Sequence, residues 1–424
     1  MQKYDIIVIG SGPAGLSAGY AAGLTGKRVL VLEKMSDPGL KLLASGGGRC
    51  NVANILGMED FAVRFGKNWR FMLPALQNFH GQTLLEFFHA HQVPLILSDG
   101  FHYFPESGKA RDVLQLFLDG IARCKGTVKC GEKVTDIRCD RGWQVTAGRN
   151  VYRGAAVILA CGGRGYPALG GSMAGYELAG KCGHKVTELF PAMTGVVCAD
   201  ARVGNCAGIS LADCMATLEL KGRNRISARG ELLFTHRGFS AFAILDLAGQ
   251  AAEALSRDPV VRLKIDFLPY ISPEELHAEF AAWRQAGGKK HISGLLGKWL
   301  PKKAAQLLLD GDDPEISRWQ AASSRKLAEK LKGSIFELNG VENWEKAMVT
   351  RGGVSLKEVD PRTLASKKIP GLFFAGEMLD ITGPCGGFNI SWALASGMLA
   401  GQSASSFSSS AATAGVPAMI PSAG

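Results

Sequence analysis

At 424 residues the chain is too long for one simple core, and two or three domains are expected. Apolar residues make up 46 % of it and the mean hydropathy is +0.08, a soluble, globular composition with no run of 18 apolar residues to span a membrane. The formal charge of +10 comes from 48 Lys and Arg against 38 Asp and Glu with no long basic block, so solvated surface and bound phosphates account for it before nucleic acid does.

The chain enters a strand at once, with neither a basic leader nor a cleavage site, and a cytoplasmic protein is expected. Its ten cysteines are scattered, with no C-x-x-C and no Cys/His pair at zinc spacing. Reduced thiols and no metal site follow.

Residues 4–33 read as a βαβ nucleotide cradle. The apolar β-branched run from Ile6 to Ile9 suits a strand buried on both faces of a parallel sheet. It ends at Gly10, which with Gly12 and Gly15 forms G-x-G-x-x-G in the stretch Gly10, Ser11, Gly12, Pro13, Ala14, Gly15. The first glycine permits the turn, the second lets a pyrophosphate approach, and the third lets the following helix pack on the strand. Glu33 closes the next apolar strand where an acid binds a ribose hydroxyl.

A second signal spans residues 39–54, a glycine-rich loop running into a polar cluster. Its glycines expose backbone N–H groups, while Lys41, Arg49 and Asn51 add donors suited to phosphate or to a carbonyl edge. Residues 58–92 look helical, and His89 and His91, two apart, cannot share a helix face to hold a metal. An amphipathic helix from Arg111 to Arg123 and a strand pair at 134–139 and 142–146 come next. The apolar run 155–160 then ends in Ala160, Cys161 and Gly162, a second strand-to-glycine junction able to approach a cofactor.

From Pro191 short alternating segments (194–198, 213–220, 231–235 and 262–267) predict an antiparallel sheet or small barrel. Ser272-Pro273-Glu274-Glu275 is a helix start, and helical periodicity holds to Lys332. The first pattern returns at the end of the chain. A strand from Gly371 closes on Gly376 and Glu377, and Gly386-Gly387-Phe388-Asn389-Ile390 opens a small-residue helix. Residues 403–424, rich in Ser and Ala, are expected to be a disordered tail.

The blocks Gly10 to Gly15, Ser45 to Asn54 and Gly371 to Asn389, in that order and spacing, resemble the BaiN-like (YhiN-like) flavoproteins of the glutathione-reductase-type superfamily. The resemblance implies an α/β fold, a Rossmann-like FAD-binding domain with inserted β-barrel-like and helical domains. The boundaries expected are 1–190 and 346–402 for the FAD domain, 191–270 for the barrel, 271–333 for the helices, and 334–345 for the return. It also implies that Gly10 to Gly15 hold the pyrophosphate and Glu33 the adenosine ribose, with Lys34 and Lys41 flanking the cofactor. Arg49, Cys50 and Asn51 should run beside the flavin, Gly376 and Glu377 near the ribityl chain, and Gly386, Gly387, Phe388, Asn389 and Ile390 at the pyrimidine end. Val134 resembles the position whose backbone meets adenine. Ala241-Phe242 replaces the usual Gly-Pro, and residues 381–385 depart from the usual acidic sequence.

The resemblance therefore implies an FAD-dependent oxidoreductase exchanging hydride between flavin N5 and a small organic substrate, with NAD(P)H or O₂ as second partner. Only one nucleotide cradle is visible, so NAD(P)H would have to stack transiently on the flavin. The alternatives are a flavin-dependent RNA-modifying or RNA-binding protein, or a non-catalytic flavin redox sensor. The catalytic residues are not fixed by the sequence; Arg49, Cys50, Asn51 and Cys385 are the candidates near the flavin.

Overall fold

A computed structural model describes residues 3–220 and 225–407. The chain opens with β1 (Ile6–Ile9), α1 (Pro13–Leu24) and β2 (Val29–Leu32), and every residue of both strands is buried. The short strands β3 (Ala53–Asn54), β4 (Leu95–Leu97) and β5 (His102–Pro105) form a small antiparallel sheet in the order β3-β5-β4. Between β3 and β4 the chain is helical at Met58–Val63, Trp69–Asn78 and Gln82–Ala90. The amphipathic helix α2 (Ala110–Arg123) buries Val113, Leu114, Leu116, Phe117 and Ile121 on one face.

After β6 (Thr127–Lys129) comes an antiparallel meander of β7 (Val134–Cys139), β8 (Trp143–Ala147) and β9 (Asn150–Gly154), then β10 (Ala156–Leu159). The sequence predicted only two of the meander's strands. The third was hidden because its Asn, Tyr, Arg and Gly show no clean apolar alternation.

The chain divides into two compact units, one running to Leu189 and resuming at Val349, the other Phe190–Met348. The second unit holds a closed six-stranded barrel of β11 (Val196–Cys198), β12 (Ser210–Glu219), β13 (Arg225–Phe234), β14 (Gly238–Ser240), β15 (Val261–Asp266) and β16 (Ser334–Val341). Around the barrel the order is β11-β14-β13-β12-β15-β16, so no edge is left unpaired. Sequence reading missed β14 and β16, and also α3 (Phe242–Leu255), whose apolar run falls between two strands of the barrel.

Ala241, at the N-cap of α3, adopts φ +70° and ψ −177°, a region natural to glycine, and Phe242 beside it is 48 % exposed. Helices α4 (Pro273–Ala286) and α5 (Ala321–Gly333) belong to the same unit. The start of α4 is the capping box its sequence predicts: Glu275 N–H donates to Ser272 Oγ at 3.1 Å, and Ser272 N–H to Glu275 Oε2 at 2.7 Å.

The chain returns to the first unit with β17 (Leu372–Phe374) and α6 (Phe388–Ser406). The sheet there is fully parallel, in the order β17-β10-β1-β2-β6. A parallel sheet needs both faces covered, and α1 and α6 pack closely on each other because small residues line their contact. A methyl group on Gly397 would fall 2.2 Å from the Ala14 carbonyl oxygen, and one on Gly401 2.3 Å from that of Ala18. Helix α6 continues to Ser406, past the point where a tail was expected to begin, and the rest of that expected tail, residues 408–424, lies outside the described residues. No described helix is long and apolar enough to cross a membrane.

Candidate cofactor site

At the carboxyl end of β1 the three motif glycines divide their work. Gly10 turns at φ +104°, where a methyl would strike the Ala160 carbonyl oxygen at 2.4 Å. A methyl on Gly15 would lie 1.8 Å from the Gly10 carbonyl oxygen. Gly12 alone faces open space, with no atom within 4 Å of the place a Cβ would take. Two glycines are thus consumed by the fold, and the third leaves room for a ligand. Helix α1 starts at Gly12 with Pro13 in its first turn, and it has neither a capping side chain nor an acid there. Its first N–H groups therefore present an uncompensated positive end, which fits a pyrophosphate.

Glu33 lies beside this turn. Its Oε2 accepts from the Ser11 N–H at 2.9 Å and the Ser11 hydroxyl at 2.7 Å, and its Oε1 from the Met35 N–H at 2.9 Å. Those bonds keep the carboxylate at the strand end and leave it acceptor capacity for a ribose hydroxyl. The chain near Val134 approaches the same place through the Glu132 N–H, which donates to the Glu33 carbonyl at 2.7 Å. Val134 itself is buried. Lys34 turns away, donating to Ser172 Oγ at 2.8 Å, and burial lowers its pKa from the ordinary lysine value.

Ala160, Cys161 and Gly162 follow β10 next to the motif. The Ala160 N–H donates to the Ile9 carbonyl at 2.9 Å, and the Cys161 thiol, pushed up to about 12 by burial, points at that oxygen at 3.4 Å. Gly376 follows β17 at φ +69°, and a methyl there would meet the Ala14 side chain at 2.7 Å. Glu377 and Lys41, 336 positions apart, are paired at 3.2 Å, and the other carboxylate oxygen accepts from the Thr350 N–H at 2.7 Å. The pair locks the loop after β2 to the loop after β17, so both charges are already engaged within the protein.

The third cluster joins the glycine-rich loop to the start of α6. Gly46, Gly47 and Gly48 all have positive φ, as does Cys50 at +62°. The Cys50 side chain is fully buried and its thiol is pushed up to about 12, which removes it from the surface a flavin or substrate could touch. Arg49 is exposed, its guanidinium 4.4 Å above the Phe104 ring. With its amide turned so that oxygen meets a donor and nitrogen an acceptor, Asn51 bridges the two segments, donating to the Ala53 carbonyl at 3.1 Å and accepting from the Gly387 N–H at 3.2 Å.

Asn54 donates to the Gly386 carbonyl at 2.8 Å from a buried position. Asn389 folds back on its own turn, accepting from the Gly383 N–H at 2.9 Å and donating to the Gly383 carbonyl at 3.0 Å. Phe388 is buried and stacks on Phe61 with ring centroids 4.9 Å apart; Ile390 follows in the same first turn, and Cys385 precedes the glycines half-buried. Like α1, helix α6 has no capping side chain and no acid in its first turn.

The sequence assigned no role to Asn54, Thr350 and Ser172, whose bonds hold these segments, or to the pair Asp99 and His102 on the turn into β5. For the pair a signal existed, an Asp three residues ahead of a His across a glycine turn, but nothing local says what it faces.

Among known proteins, a family profile described as HI0933-like protein Rossmann domain matches residues 4–403. The chain is 30 % identical over 406 residues to the 3-dehydro-bile acid delta(4,6)-reductase of Clostridium scindens, covering 94 % of this chain and 98 % of that one. It is also 30 % identical over 403 residues to the ribosomal RNA dihydrouridine synthase of Escherichia coli, covering 93 % and 96 %. Among solved structures, a flavocytochrome c3 fumarate reductase superposes with a TM-score of 0.51 at 16 % identity, over 95 % of this chain and 78 % of that one. The 3-ketosteroid-delta4-(5alpha)-dehydrogenase of Rhodococcus jostii RHA1 gives 0.51 at 16 % identity, over 95 % and 97 %. At that identity the structural likeness speaks for the fold.

Proposed function

Because the chain belongs to the HI0933-like Rossmann-domain family, we propose that it is an FAD-dependent reductase acting on a carbon–carbon double bond conjugated to a carbonyl. The observation that carries this reading is that two relatives, equally similar over nearly their whole length, are named for different substrates and one bond chemistry. The two conjugated delta(4,6) double bonds of a 3-oxo steroid and the 5,6 double bond of uracil are all polarised by a carbonyl, so each can be saturated by hydride at its far carbon.

Bound FAD would supply hydride from N5 of its ring. The chain's own part is to bind and orient. Open space over Gly12 and the start of α1 would take the pyrophosphate, and Glu33 would accept the ribose hydroxyls. The Gly387 to Ile390 backbone at the start of α6 would meet the carbonyl edge of the ring. The Lys41–Glu377 pair keeps the loops beneath in register.

A small organic enone is the first substrate class, with NAD(P)H as a transient electron donor. A second reading, a uracil within RNA, is favoured by the second relative's name. The experiment is anaerobic: bleach the protein's flavin with NADH or NADPH, then add a panel of enones or uridine-containing ribosomal RNA. Recovery of oxidised flavin with loss of the substrate double bond supports the reading and selects the class. A protein that holds no flavin after reconstitution, or whose reduced flavin is reoxidised by O₂ alone, defeats it.

A further inference from the structure

The pair Asp99 and His102 stands on the turn into β5, and its imidazole is aimed at the start of α6. His102 Nδ1 lies 2.7 Å from Asp99 Oδ2, while Asp99 Oδ1 accepts from the His102 N–H at 2.8 Å and the Phe101 N–H at 3.0 Å. Those bonds hold the Asp99 carboxyl down at about 2, so it is an anion at any working pH. Facing an anion, Nδ1 carries the ring proton, and Nε2 is left as the acceptor. Nε2 lies 3.0 Å from the place a methyl on Gly386 would occupy, on the residue's bare side.

The surroundings are built around the same turn. His102 pairs across the sheet with Asn54, whose side chain donates to the Gly386 carbonyl, and Asn51 accepts from the next N–H, that of Gly387. Phe101 stands edge-on to the imidazole at 4.9 Å. The charged group that faces it is Asp99 on its own turn; Phe104, over whose ring Arg49 sits, lies 6.4 Å from the imidazole, centroid to centroid. A histidine used only for packing needs neither an ionised partner nor a glycine opposite its free nitrogen.

We propose that His102, oriented by Asp99, is a proton-accepting positioning residue of the cofactor turn. It takes up one proton from solvent at Nε2 when the bound FAD is reduced, and its cation offsets, through the Gly386–Gly387 peptide, the negative charge gained there. The balance is one hydride, two electrons and a proton, delivered by NAD(P)H to the ring, plus one proton from water to the imidazole. This rests on the FAD reading above.

The test is the pH dependence of the flavin midpoint potential, measured spectroelectrochemically on the holoenzyme, together with ¹⁵N-histidine NMR of the oxidised and reduced forms. The wild-type protein should take up two protons per two electrons. His102→Gln should take up one, halving the slope. In the wild-type spectrum the His102 ring should pass from singly to doubly protonated on reduction at constant pH.

An unchanged slope in His102→Gln, or an imidazole in the same protonation state in both redox forms, overturns the proposal. If His102→Gln fails to retain FAD, the wild-type NMR comparison decides alone. A wild-type protein that never binds FAD refutes the underlying reading instead, so the two failures are distinct.

Discussion

At the scale of single residues, the three motif glycines separate folding from binding. Gly12→Val adds its side chain to open space, so the ligand-free protein should melt within a degree or two of wild type. Its FAD affinity should fall by about 100-fold or more, roughly 2.7 kcal/mol, as titration calorimetry or flavin fluorescence would read. Gly15→Ala should do the reverse, because its methyl would sit 1.8 Å from a backbone oxygen that cannot retreat; a loss of roughly 3 kcal/mol or insoluble protein is expected. Equal damage to stability from both changes would show that Gly12 is also part of the packing.

The thiols give a pH prediction with a definite sign. Burial pushes Cys50, Cys161, Cys198 and Cys214 each from 9 up to about 12. Between those values the unfolded chain has shed protons that the folded chain keeps, so stability is intact below pH 9 and is lost as pH rises toward 12. The urea midpoint should therefore be lower at pH 10.5 than at pH 8. Cys50 should resist a thiol reagent at pH 8 until the protein is unfolded.

At the scale of elements, local pattern was legible wherever an element's reason for existing lay within its own few residues. The turn at Gly10, the close packing at Gly15 and the capping box at Ser272 are of that kind, and all three stand in the structure. Ser272→Ala should cost about 1 kcal/mol in denaturant unfolding, since the hydroxyl satisfies an N–H that nothing else reaches. What escaped was every contact made across the chain. The Asn54 bond to Gly386 spans 332 positions and the Lys41 bond to Glu377 spans 336, and neither leaves a local trace. The glycines of α6 were visible as small residues, but only their partners explain them. Gly397→Val would drive a side chain into Ser17 Oγ, 2.0 Å from the first methyl, and into the Ala14 carbonyl, so α1 and α6 must part. A drop of several degrees in melting temperature is expected, with flavin lost at the same time because α1 carries the cradle.

At the scale of the whole molecule, the parallel sheet is written in two instalments, with β1, β2, β6 and β10 before the inserted unit and β17 after it. The reappearance of a strand-to-glycine pattern at Gly376 made this return legible, whereas the closure of the barrel was not, because β16 mixes Ser334, Asn339 and Gly340 with its apolar residues in a stretch that read as a connection. The two instalments meet within the first unit itself. The Thr187 N–H donates to the Gly353 carbonyl at 2.8 Å, the Gly353 N–H to Thr187 Oγ1 at 3.0 Å, and Gly352 packs on the Glu188 carbonyl. The ends left by removing Phe190–Met348 therefore lie a few residues apart, a gap that a short Gly/Ser linker spans at about 3.3 Å per residue. All five strands, α1 and α6 stay in the shortened chain, and so does every residue assigned above to the cofactor. A protein joining Leu189 to Val349 in this way should fold and take up FAD close to one per chain, with the absorbance of bound flavin. A shortened protein that folds, by circular dichroism and a cooperative melt, yet binds no flavin would show that the inserted unit supplies part of the cofactor site.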